Sequence, residues 1–156
     1  MALELLQALA DKIKTDLAAA SATFSITNAV YSREFVPVIV LKDQDAVPQV
    51  RLIGRGRQTE MYTKDDWRRM LVVDLVVLKK VTGQAAETNA TLDPLALFCQ
   101  ELETYFEPYA RRQLTIDGGH LATFDRSEVV TACDTHELLT NHQFAFQAKL
   151  YWEVIQ

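Results

Sequence analysis

The sequence predicts an α+β fold in which an antiparallel β-sheet is covered on one face by two main helices, with an additional β-hairpin. Two long segments of alternating character, Trp67–Val81 and Phe144–Val154, predict the central strands. Two segments with apolar residues at three- and four-residue spacing, 3–20 and 93–106, predict the helices. A length of 156 residues and an apolar content of 49% fit one domain, residues 1–156, with its own core.

The segment Trp67–Val81 is predicted to lie at the centre of the sheet, because it is rich in Val and Leu and longer than a usual strand. Alternation gives it one wholly apolar face: Leu71, Val73, Leu75 and Val77. The opposite face is apolar except for Asp74. We expect this strand to pair with the last strand, so that Lys149 reaches Asp74 and forms an ion pair with it.

Between the first helix and the central strand, two segments have strand character. Residues 24–31 alternate, and residues 35–41 are dense in β-branched side chains. Pro37 cannot donate to a strand ladder, which predicts a sheet edge or a bulge there. Residues 50–53 start another extended segment.

Residues 54–66 are predicted to form a polar loop, in which Gly54 and Gly56 free the backbone and Arg55 and Arg57 place two charges side by side. The pattern favours a solvated loop tip over a contact with phosphate or an acidic surface, because the glycines do not match a phosphate-binding loop. Loop charges rarely hold a core, so reversing both arginines is expected to leave the fold intact.

The second half of the chain carries clear local signals. Residues 83–91 are small and polar, which predicts a mobile loop, and Asp93-Pro94 predicts the start of the second helix. Asp117-Gly118-Gly119 predicts a hairpin turn within residues 112–124. Val129 and Val130 indicate a short strand, and Asp134 with Glu137 indicates the capped start of a short helix.

No group of residues predicts a catalytic, cofactor or metal site. Cys133, His136 and His142 have a metal-like spacing, but only Asp134 or Glu137 could complete four ligands. Cys133 with a histidine also suggests a nucleophile and its base, but no glycine loop surrounds it. Cys99 lies within the apolar stripe of the second helix, as a buried structural thiol would. We therefore expect a protein without enzymatic activity, and without a cofactor.

Composition limits the partners and the cellular compartment that we expect for the protein. The formal net charge of −5 argues against a protein that coats nucleic acid. No secretory signal and no apolar run of roughly 20 residues is visible, so no membrane contact is expected. A soluble protein made in a reducing cytoplasm, with both cysteines free, is the expectation.

Three segments carry a resemblance to a known family: WRRMLVVDLVVLKKV, LDPLALFCQELETYFE and FAFQAKLYWEVI. In these segments and in their order, the chain resembles the tail terminator, or tail completion, proteins of long-tailed bacteriophages. The resemblance implies a virion protein of the tail neck, assembled in the host cytoplasm. It implies a homohexameric ring on the head-proximal end of the tail tube, which ends tube polymerisation and joins the tail to the head.

The resemblance also implies partners: further copies of the chain, the tail-tube protein and a head–tail connector or stopper protein. DNA would only pass through the channel, because an acidic channel wall lets DNA slide without binding it. An apolar second face carrying Asp74 fits a subunit interface. The candidate subunit or partner contacts are Arg55, Arg57, Tyr62, Trp67, Asp74 and Lys149, together with the stretch 83–91.

Three classes of function stay open. Besides a terminator, the chain could be another neck component such as a head–tail adaptor, or a tail-tube protein. A tube protein would stack on itself into filaments, whereas a terminator would close as a ring and stop. A small enzyme or a ligand-binding domain would need a pocket with convergent polar groups.

Overall fold

A computed structural model describes residues 4–35, 47–61, 67–81, 89–116 and 119–155. In chain order the helices and strands are α1 (Leu5–Ala19), β1 (Val30–Glu34), β2 (Gln49–Met61), β3 (Trp67–Lys80), α2 (Asn89–Glu103), β4 (Gln113–Ile116), β5 (His120–Thr131), α3 (Thr135–Asn141) and β6 (Gln143–Ile155). This is a mixed α and β architecture, as the sequence predicted at the level of fold class.

Within the described residues, six strands form one curled sheet in the order β1-β2-β3-β6-β5-β4. Four neighbouring pairs are antiparallel, but β1 and β2 are parallel, so the prediction of a purely antiparallel sheet is wrong in this detail. Parallel neighbours need a crossover connection of about a dozen residues or more. The segment 35–48 between these two strands is long enough to supply one.

The predicted pairing of the two long strands is confirmed. β3 and β6 run antiparallel from the pair Arg69 and Val154 to the pair Lys80 and Gln143. β3 also pairs with β2 along its other edge, which makes β3 an interior strand of the sheet. The register places Lys149 directly opposite Asp74, and alternation along both strands puts the two side chains on the same face of the sheet.

The main core forms where the apolar side of β3 and β6 meets the apolar stripes of α1 and α2. It includes fully buried Leu9 and Ile13 of α1 and Phe98 of α2. Trp152 of β6 is also fully buried, with its ring centroid 5.0 Å from that of Phe106. Burying side chains of this size stabilises the fold by about 1.5–3 kcal/mol each at most.

α2 begins at Asn89, so the predicted helix start at Asp93-Pro94 is wrong. Pro94 lies inside the helix, near its beginning. A proline there removes one backbone hydrogen bond of the helix but leaves the following turns intact. Residues 89–91 of the predicted mobile loop therefore belong to this helix, and residues 83–88 of that loop lie outside the described residues.

The predicted polar loop at 54–66 is wrong over Gly54–Met61, because these residues continue β2 beside β3. A bulge between Gly54 and Gly56 accommodates Arg55 as an extra residue. Pairing with the long interior strand overrides the weak strand propensity of glycine and polar residues. Residues 62–66 of the predicted loop lie outside the described residues.

The boundaries of other predicted strands also differ from those in the structure. β1 begins at Val30, so residues 24–29 of the predicted first strand are not in a strand. Most of the second predicted strand, including Pro37, lies outside the described residues. β4 pairs antiparallel with the start of β5, with Asp117 and Gly118 outside the described residues. Val129 and Val130 belong to the long strand β5 rather than to a short separate one.

Asp134 caps α3 as predicted, since its Oδ1 accepts a hydrogen bond from the backbone N–H of Glu137 at 3.1 Å. The backbone N–H of Asp134 also donates to the carbonyl of Ala145 at 3.1 Å. These two bonds fix the beginning of α3 against β6.

Gly54 and Gly56 give a matched test of how closely α1 packs on β2. A Cβ on Gly54 would lie 2.9 Å from Cγ of Leu6, whereas one on Gly56 would meet nothing within 4 Å. We expect Gly54→Ala to lower the free energy of unfolding by about 1–3 kcal/mol, because α1 must shift. Gly56→Ala should change it by less than about 1 kcal/mol. Urea denaturation of both variants checks this, and equal effects would contradict the close packing.

Candidate functional site

Asp74 forms the most unusual polar group in the described chain, because it is charged and 1% exposed in the middle of an interior strand. Nε of Arg55 donates to its Oδ2 at 2.8 Å, and Nε2 of Gln147 donates to the same oxygen at 3.2 Å. The bulge in β2 aims Arg55 at Asp74, and β6 supplies Gln147 from two pairs along the ladder. Three strands therefore build this site.

The predicted partner Lys149 lies opposite Asp74, but the ion pair at hydrogen-bond distance within the described residues is with Arg55. Lys149 acts on Asp74 through its charge, which lowers the pKa of the carboxyl. The sequence could not predict Arg55 as the partner, because a bulge had to place it there. Gln147 was predictable in part, since alternation puts it on the same face as Asp74.

Burial raises the pKa of Asp74 above its ordinary value, and this outweighs the opposing effects of Arg55, Lys149 and Gln147. Oδ2 has two donors, whereas Oδ1 is buried and has no hydrogen-bond partner. A buried oxygen without a donor costs about 1–3 kcal/mol. Within the described residues, the chain therefore supplies hydrogen-bond donors to only one of the two oxygens of this carboxylate.

Around Asp74, the second face of the sheet is covered within the single chain. Two small apolar clusters flank Asp74, and their members are at most 7% exposed. One contains Ile53, Val76 and Leu78, and the other contains Met70, Val72 and Tyr151. Because these side chains are already buried, this face does not require a neighbouring subunit to cover it, and Asp74 itself is not accessible to one.

A second polar group, absent from the sequence-based set, lies beside the Met70 cluster. The hydroxyl of Tyr151 donates to Oε2 of Glu128 at 2.9 Å, and the guanidinium of Arg126 lies 4.1 Å from the ring centroid of Tyr151. The hydrogen bond to Glu128, followed by burial, raises the pKa of Tyr151. No pattern in the sequence indicated that β5 would bring Arg126 and Glu128 to this face.

Of the remaining candidate contacts, Arg57 is not brought together with Asp74. Arg57 points to the helix side of the sheet, where NH2 contacts Oε1 of Glu4 just before α1. Both side chains of this pair are about half exposed. Trp67 is the first residue of β3, and Tyr62 lies outside the described residues.

The cysteines show no sign of a reactive thiol. Cys99 is buried in α2, and burial strongly raises the pKa of its thiol. Burial and the neighbouring Asp134 raise the pKa of Cys133. Both effects disfavour the thiolate that a nucleophile or metal ligand needs. Within the described residues, no three His, Cys, Asp or Glu side chains are placed to hold a metal ion.

No protein-family model matches this chain, and the comparison with curated proteins gives no match either. In the described part of the chain, no helix is both long and apolar enough to cross a membrane. Any functional assignment must therefore be argued from the layout and the chemistry described above.

The dependence of stability on pH tests the environment of Asp74. Because its pKa is raised on folding, its contribution to stability is largest below the ordinary pKa and is lost as the pH rises through the raised value. We expect the free energy of unfolding of the wild type, minus that of Asp74→Asn, to fall with pH in this window. The slope is at most about 1.4 kcal/mol per pH unit. A difference that rises there would contradict a raised pKa.

Arg55 and Arg57 allow a matched test of the ion pair between Arg55 and Asp74. Arg55→Gln leaves a buried carboxylate without its cation and should cost about 1–3 kcal/mol. Arg57→Gln removes an exposed pair and should cost about 0–1 kcal/mol. Urea denaturation at pH 7 measures both. The earlier expectation that reversing both arginines leaves the fold intact is withdrawn, since Glu at position 55 would face buried Asp74.

Proposed function

We propose that this protein is a structural component of a phage tail neck, a terminator that forms a ring at the head-proximal end of the tail tube. In this proposal it ends tube polymerisation, joins the tail to a head–tail connector or stopper protein, and resides in the virion. Two main helices, α1 and α2, cover one face of the sheet, and β4 with the start of β5 forms the additional hairpin.

The observation that carries the proposal is the layout around strands β3 and β6. These strands, of 14 and 13 residues, pair along nearly their whole length. The three segments that carry the resemblance to tail terminators fall on β3, α2 and β6. A rigid pair of long strands, held by helices on one side, suits a subunit whose task is to hold a fixed shape in an assembly.

The chemistry of the described residues is compatible with a structural role. The polar groups at Asp74 and Tyr151 are tied into ion pairs and hydrogen bonds of the fold, and the thiols are held protonated. The net charge of −5 suits a channel through which DNA passes without binding. Arg57, Trp67 and the partly exposed Lys149 remain candidate contacts, while buried Asp74 would act on a neighbour only through Arg55 and the shape of the sheet.

Electron microscopy of phage particles assembled without this protein tests the proposal. We expect overlong tails lying apart from DNA-filled heads, because the tube has no stop signal and no joining surface. Tails of normal length with leaking or empty heads would move the protein to the head side, as an adaptor. Absent tails would assign it to the tube, and unchanged particles would remove the tail-assembly proposal.

Complementation supplies the controls for this experiment. Wild-type protein supplied in trans should restore joined particles of normal tail length. Arg57→Glu probes a candidate contact, because its partner Glu4 is exposed and the fold tolerates its loss. Lys14→Glu, which disrupts a similar exposed pair with Asp11, is the matched control. If both variants restore particles equally, Arg57 is not a partner contact.

A further inference from the structure

The outer edge of β5 is open along the second half of the strand. On its inner side β5 pairs with β6 as far as Thr131. On its outer side β4 pairs only with His120–Thr123, and just beyond it the backbone N–H of Phe124 donates to the carbonyl of Arg112 at 2.8 Å. Within the described residues, no strand therefore pairs with the outer edge of residues 126–131.

Solvent reaches the side chains along this open edge. Val129 is 43% exposed and Val130 is 47% exposed, and the side chains of Arg126 and Glu128 are exposed as well. Two bulges in the ladder with β6 flank residues 126–129, which pair with β6 without interruption. An open edge presents unpaired N–H and C=O groups to which another strand can add.

The side chains along this edge have fixed directions. Arg126 and Glu128 lie on the same face of the sheet, because both contact Tyr151 of β6: the guanidinium is 4.1 Å from the ring centroid, and Oε2 accepts from the hydroxyl at 2.9 Å. Ser127 faces the opposite side, where its hydroxyl donates to Oε1 of Glu103 of α2 at 2.7 Å. The open edge therefore carries one cation and one anion on the same face, on either side of Ser127.

This arrangement of charges is complementary to a second copy of itself. If two such edges pair antiparallel about Ser127, Arg126 of each copy lies opposite Glu128 of the other. Opposite charges directly across antiparallel strands stabilise the pairing, and like charges destabilise it. Other registers lack this match, since pairing about Glu128 sets two carboxylates opposite each other, and a parallel pairing in register sets like charges side by side.

We propose that the open edge of β5 pairs antiparallel with the same edge of a second copy of this chain, about Ser127, so that the two sheets continue into one. Residues 125–129 of each copy form the contact, which is short, so we expect a weak dimer that depends on concentration. The inference does not rest on the proposed role in a phage tail. A two-fold contact joins two chains through one shared surface, whereas a cyclic ring uses two different surfaces of each subunit.

Sedimentation velocity of the full-length chain tests the proposal, at concentrations from about 10 µM to about 1 mM, which span the affinities of weak contacts. We expect a monomer–dimer equilibrium at low ionic strength. Amide hydrogen exchange within residues 126–129 should slow as the concentration rises, because new bonds across the edge protect the N–H groups that point outward.

Charge reversals test the register. Arg126→Glu sets two acidic side chains opposite each other at both ends of the contact, and Glu128→Arg sets two basic ones. Each should weaken dimerisation at least tenfold. The double variant, Arg126→Glu with Glu128→Arg, exchanges the charges and should restore the dimer to within about threefold of the wild-type affinity. Lys12→Glu, at an exposed ion pair on α1, is the matched control and should leave dimerisation unchanged.

Three results would overturn the proposal. A chain that stays monomeric over the whole concentration range has no such contact. A dimer, or a larger assembly, that persists in both single reversals uses another surface. A double variant that is folded but monomeric would show that the charges do not set the register. The NMR spectrum of each variant shows whether it folds, and hydrogen exchange in the wild type decides the matter if a reversal unfolds the chain.

Discussion

The pairing of β3 with β6 is the constraint on which the rest of the structure depends. Both strands are interior to the sheet, and one face of each packs in the main core with α1 and α2. A shift of β6 by one residue would move Trp152 out of that core and bring Lys149 into it. The apolar faces therefore decide which side of each strand lies in the main core, and the residues on the opposite side must find their partners there.

Asp74 is the point at which that adaptation is visible. The register buries a carboxylate between two apolar clusters, and a bulge in β2 then brings Arg55 to it. Burial still dominates, since the pKa stays raised and one carboxylate oxygen stays without a donor. Buried polar atoms in folded proteins nearly always have a partner, so this oxygen is an exception to the usual rule.

The proposed role in a tail neck rests on the long strands, their order with α2 and the resemblance of these segments to tail terminators. The residues around Asp74 on the second face are buried within a single chain, which removes the argument that these residues need a neighbouring subunit.

The sequence by itself determined the two long strands, their pairing, the two main helices and the cap of α3, because each depends on periodicity or on a local hydrogen bond. It did not determine that Gly54–Met61 forms a strand, that β1 lies parallel to β2, or that α2 starts before Pro94. Only the tertiary structure decided these, because pairing with an interior strand and packing against it override weak local preferences. Only the tertiary structure decided the partner of Asp74 as well. A bulge in a neighbouring strand, and not any spacing along the chain, brings Nε of Arg55 to 2.8 Å from the carboxylate.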